Sequence, residues 1–112
     1  MLTMTYTTTD RNPVMEGSED MDHYRVTLRD GVRRMTLTYS KGKGHDGEPP
    51  TLSEVVECLD LDASIVDACP TFRDYCAEYG AEEDSRKALR TYKATMRQAK
   101  RWRWLTGETV NA

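Results

Sequence analysis

Three cysteines and two histidines are the residues best suited to metal or nucleophile chemistry here, and their spacing argues against both. Cys58, Cys69 and Cys76 with His23 or His45 would make a four-ligand zinc set. Structural zinc sites are built from close pairs such as Cys-x2-Cys, whereas these cysteines lie eleven and seven residues apart. Cys58 and Cys76 each fall on the apolar side of a helical pattern, where a free cysteine acts as a small hydrophobe. A thiol nucleophile needs a histidine base nearby, and only His23 and His45 are present. His45 sits among Gly42, Gly44 and Gly47, which reads as a solvated turn. Neighbouring carboxylates abound, so their proximity does not single out a general acid–base pair. Gly42-Lys43-Gly44 is too short for a phosphate loop. The residues point to no catalytic group, no metal and no cofactor.

Charge placement is more informative. The net charge is −3 over 112 residues, but residues 1–85 carry 18 acidic and 8 basic side chains. Residues 86–103 carry 8 basic side chains (Arg86, Lys87, Arg90, Lys93, Arg97, Lys100, Arg101 and Arg103) and no acid. From Thr51 to Asp84 there are ten carboxylates against Arg73 alone. Two binding faces follow: an acidic one of Glu54, Glu57, Asp60, Asp74, Glu78 and Glu82, and a basic one of Arg86, Arg90, Lys93, Arg97, Lys100 and Arg101 with Trp104. Carboxylates at helical spacing imitate the charge of a phosphate array. Cations with an interleaved tryptophan suit a phosphate backbone and a stacked base. The plain alternatives are solvated faces, or neutralisation of one face by the other within the molecule.

The elements that position these residues are legible in part. Tyr24, Val26 and Leu28 alternate with polar residues before Asp30-Gly31, and Met35, Leu37 and Tyr39 alternate after it, predicting a β-hairpin on a two-residue turn at Asp30-Gly31. That turn sets Leu28 opposite Arg33, Val26 opposite Met35 and Tyr24 opposite Leu37, with the apolar set on one face. Residues 1–20 read as an N-terminal extension or an edge strand, since Leu2, Met4 and Tyr6 alternate with threonines. Residues 21–112 read as one α+β domain. Thr51-Leu52-Ser53-Glu54 is a capping box opening a helix through Leu52, Val55, Val56 and Leu59, and Leu61–Ala68 reads as a second short turn or helix. Pro70 ends that segment, Thr71 caps a helix with Phe72, Tyr75, Cys76 and Tyr79 on one side, and Gly80 stops it. Asp84-Ser85 starts the longest helix, running to about Leu105. Its buried stripe is predicted as Leu89, Tyr92, Met96 and Ala99, with Trp102 at the edge.

The fold expected is therefore α+β: an antiparallel β-hairpin or three-stranded sheet packed by three to four helices, with a long basic C-terminal helix. No run approaches the ~18 apolar residues of a membrane span, and no basic-then-apolar leader opens the chain. The odd cysteine count fits a reducing compartment, so a cytoplasmic location is expected.

Several segments together resemble a group of small proteins encoded by bacteriophages and prophages. They are Tyr24-Arg25-Val26-Thr27-Leu28, Gly44-His45 with Pro50-Thr51, Val55-Val56-Glu57-Cys58-Leu59 with Asp62-Ala63, Phe72 to Gly80, and Asp84-Ser85-Arg86-Lys87-Ala88 with Tyr92-Lys93. The likeness covers about residues 21–100; residues 1–20 and the tail from Trp102 depart from it. The resemblance implies a setting, not a reaction. Small phage proteins of lopsided charge are often inhibitors of host defence, anti-CRISPR proteins among them, and no residue role carries over. The leading expectation is thus a non-enzymatic inhibitor of a host protein or ribonucleoprotein such as a CRISPR effector. Its acidic face would cover cations that otherwise hold nucleic acid, with an aromatic anchor such as Tyr79. The alternative is a small nucleic-acid-binding or regulatory protein using the basic helix.

Overall fold

The computed structural model describes residues 1–10, 21–42 and 48–107. Along the chain come β1 (Leu2–Thr9), β2 (Met21–Asp30), β3 (Arg33–Gly42), α1 (Leu52–Ala68), α2 (Phe72–Tyr79) and α3 (Arg86–Thr106). The strands form one antiparallel sheet in the order β1-β2-β3. The fold is α+β, with the three-stranded rather than the two-stranded form of the sheet. His45 and its flanking glycines Gly44 and Gly47 lie outside the described residues, as do the acidic residues Glu16, Glu19 and Asp20. The chain divides into two units, Met1–Glu57 and Cys58–Ala112.

In the first unit the hairpin forms, but in a different register from the expected one. Asp30 pairs with Arg33, so the two-residue turn is Gly31-Val32 rather than Asp30-Gly31. Gly31 has φ 64°, the left-handed value that a primed hairpin turn requires at its first central position. The opposed pairs are then Leu28 with Met35, Val26 with Leu37 and Tyr24 with Tyr39, and oppositely charged residues face each other at both ends (Asp22 with Lys41, Asp30 with Arg33). A shift of two residues leaves every side chain on its face, so one-sided burial could not separate the two registers. Cross-strand matching of apolar with apolar and acid with base does separate them.

Tyr24, Val26, Leu28, Met35 and Leu37 are buried and Arg25 and Arg29 are exposed, which is the one-sided pattern of a half-covered antiparallel sheet. In β1, Leu2, Met4 and Tyr6 stand opposite Asp30, Leu28 and Val26, which extends the apolar face. Tyr6 meets the Tyr24 ring edge-on at 5.8 Å. His23 is the exception on the polar side: it is buried, and its Nδ1 shares a 2.6 Å hydrogen bond with Ser40 Oγ on β3.

The capping box that opens α1 is present. Glu54 N donates to Thr51 Oγ1 at 3.1 Å, and Thr51 N donates to Glu54 Oε1 at 3.0 Å. Lys41 of β3, largely buried, bonds the same carboxylate at 3.0 Å.

The expected interruption near Leu61 does not occur: α1 is one helix of 17 residues. No Gly or Pro lies between Leu52 and Ala68. In the second unit, Asp60, Asp62 and Asp67 direct their carboxylates to side chains of α3 instead of competing for the backbone. Helix α2 has the expected ends. Thr71 and Asp74 form a reciprocal capping box, and Gly80 closes the helix in the left-handed conformation with φ 67°. The Tyr75 ring lies 5.1 Å from Tyr92 and 5.0 Å from Tyr79, which leads this aromatic cluster out to solvent.

Candidate functional site

Helix α3 is fixed at both ends and along one side. Ser85 Oγ accepts from Ala88 N at 3.1 Å, and Gly107 caps the far end with φ 82° and bonds to the Arg103 and Trp104 carbonyls. Its 21 residues span roughly 31 Å at 1.5 Å per residue. Tyr92, Ala99, Trp102 and Leu105 are its buried residues. This corrects the expected stripe: Leu89 is half-buried and Met96 is exposed. Trp102 belongs to the interior rather than to its edge.

Four side chains, through five hydrogen bonds, set the rotation of α3 within its unit. The Tyr92 hydroxyl donates to the Cys69 carbonyl at 2.8 Å, Gln98 Nε2 to Asp62 at 2.7 Å, Trp102 Nε1 to Asp60 at 2.9 Å, and the Arg103 guanidinium to Asp67 and the Ala63 carbonyl. With that side held, the opposite arc is turned to water. Arg86, Arg90, Lys93, Arg97, Lys100 and Arg101 are exposed, as is Trp104, which keeps 44% of its surface accessible. Lys93, Arg97, Lys100 and Arg101 form no ion pair with a described carboxylate. Among the described residues, those four cations are not neutralised by ion pairing, whereas Arg103 is paired with Asp67.

These cations border a groove. An open trough of about 940 Å³ runs along α3, with Met96, Ala99, Trp104 and Val66 of α1 among its walls and Lys93, Arg97, Lys100, Arg101 and Arg103 around them. Its surface is mostly carbon, partly from the alkyl stems of the lysines and arginines, which lie along apolar surface while their charged ends stay in water. The arrangement can hold an anionic ligand that also has a flat apolar part.

The expected acidic face fares differently. Glu54 is engaged by the capping box and Lys41, Asp74 by the capping box of α2, and Asp60 by the Trp102 indole. Glu57, Glu78 and Glu82 are exposed. The Lys41 ammonium, followed by the amide and hydroxyl of Thr51, holds the Glu54 carboxyl below its usual range. Arg103 does the same for Asp67. Half of the predicted acidic set is therefore occupied in holding elements together.

The residues suited to covalent chemistry do not converge. Cys69 and Cys76 are buried and Cys58 half-buried, all as free thiols. Burial first, and nearby carboxylates second, pushes all three thiols up, away from the reactive thiolate. Among the described residues no three of His, Cys, Asp and Glu lie close enough to hold a metal ion. No helix among the described residues is long and apolar enough to cross a membrane. The His23–Ser40 pair is one contact that residue patterns missed, because it follows only from the true hairpin register. Met96 was missed as a groove residue because it sits in the stripe that reads as core. Neither a protein-family model, nor a curated protein, nor a solved structure is significantly similar to the chain.

Proposed function

We propose that this protein acts by binding, without making or breaking covalent bonds, and that the cation-bordered groove of α3 binds nucleic acid, free or within a ribonucleoprotein. The observation that supports this most is the coincidence, on one solvent-facing arc, of Lys93, Arg97, Lys100 and Arg101 with the exposed Trp104 ring. A row of cations that pair with no described carboxylate attracts a phosphate backbone, and an exposed indole adds a surface for a base. The resemblance to phage proteins supplies a setting in which such binding obstructs a host nucleic-acid machine, such as a CRISPR effector.

A second reading, the inhibitor that imitates phosphate with carboxylates, now draws on a smaller patch. Tyr79 is 54% exposed and is flanked by the exposed Glu78 and Glu82. An exposed aromatic with exposed carboxylates near it in sequence suits a basic protein surface.

Gel shifts with a labelled oligonucleotide separate the two. The Lys93→Glu/Arg97→Glu/Lys100→Glu variant is expected to abolish the shift, and Glu78→Lys/Glu82→Lys to leave it intact. A wild-type chain that shifts no oligonucleotide, but retains a host protein after nuclease treatment, would replace the first reading with the second.

A further inference from the structure

The character of the groove bears on the form of nucleic acid it takes. A duplex offers phosphates at its surface and hides the flat faces of its bases in the stack. For such a ligand a line of cations is enough, and a carbon-rich trough between them contributes nothing. Here the trough is the central feature. Met96 and Trp104 are 37% and 44% exposed, and both lie in the groove that Lys93, Arg97, Lys100 and Arg101 border. Lys93, Arg97, Lys100 and Trp104 recur every three to four residues, so they lie in one row on the helix. From Lys93 to Trp104 the row covers about 16 Å.

An acidic amphipathic helix of another protein would also bring charge and carbon. That mode, however, reads several apolar anchors into successive pockets, and this groove is a single trough with one aromatic ring, Trp104, beside Met96, Val66 and Ala99. A flexible strand with exposed bases matches one ring and a short row of cations better.

We infer that the groove takes single-stranded nucleic acid, with phosphates along Lys93, Arg97, Lys100 and Arg101 and one base stacked against the Trp104 indole. The inference rests on the nucleic-acid reading above and adds to it the strandedness and the base contact. Because stacking uses the π-face that every base has, the binding is tolerant of sequence.

The test is fluorescence anisotropy with a labelled oligothymidine, the same strand annealed to its complement, and an acidic amphipathic peptide as competitor. Melting curves for each variant confirm that the fold is retained. The wild-type chain is expected to prefer the single strand. Trp104→Ala is expected to weaken single-strand binding roughly tenfold and leave duplex binding unchanged, whereas Trp104→Phe, which keeps an aromatic face, stays close to wild type. Equal affinity for both strand forms, with Trp104→Ala matching the wild type on each, would overturn the inference and leave the nucleic-acid reading standing. No binding to either form would overturn both, and binding of the peptide alone would put a protein partner in the groove.

Discussion

Asp62 shows how a single carboxylate is used for position at a cost in stability. It accepts a 2.7 Å hydrogen bond from Gln98, and burial pushes its carboxyl up despite that bond. In the folded chain it thus stays protonated over a range where the unfolded chain has already released the proton. Its contribution to stability is fully present below its ordinary value of 3.8 and is lost as pH climbs through the raised one. Asp62→Asn keeps an oxygen for Gln98 and carries no charge. Urea unfolding is expected to show this variant more stable than wild type near neutral pH and level with it below 3.8; a loss of stability at neutral pH would mean that the ionised carboxylate is the favoured form. Little of this was legible beforehand. Asp60 and Trp102 lie 42 residues apart, and Asp62 and Gln98 lie 36 apart. A list of charges does not reveal which of them a fold will bury or pair. Exposure of the basic residues could be read from the pattern, since Lys and Arg on the polar arc of a helix are almost never fully buried.

At the level of elements, short-range signals were the readable ones. Thr51 and Glu54, Thr71, Ser85 and Gly80 mark helix ends through bonds that close within a few residues, so three or four letters suffice to find them; Asp74, counted with the acidic face, and Gly107 were not read as caps. The hairpin was legible in its existence and its faces, but its register was not, because two-residue slips preserve both. Continuity of α1 was hidden by Asp60 and Asp62, which look like poor helix formers until their partners on α3 are known. Glu54 joins two elements, since its carboxylate serves the α1 cap and receives Lys41 from β3. Glu54→Ala is therefore expected to lower unfolding free energy by roughly 1–2 kcal/mol, from loss of the cap and of a partner for a largely buried ammonium. Chemical denaturation measures it. A change below a few tenths of a kcal/mol would return Glu54 to the exposed acidic face first assigned to it.

For the molecule as a whole, the decisive feature is where charge ends up rather than how much there is. The chain is net negative, yet Asp60, Asp62 and Asp67 are engaged by the Trp102, Gln98 and Arg103 side chains of α3, of which only Arg103 is charged. The basic arc thus stays exposed, while three of the six carboxylates assigned to the acidic face also bond within the molecule. Affinity for a labelled single strand as a function of salt tests this most directly. If three or four cations displace counterions from a strand, log affinity falls against log salt with a slope between about −2 and −3, and the slope shrinks when Lys93, Arg97 and Lys100 are replaced. A flat response, or a slope indifferent to those replacements, would contradict the account.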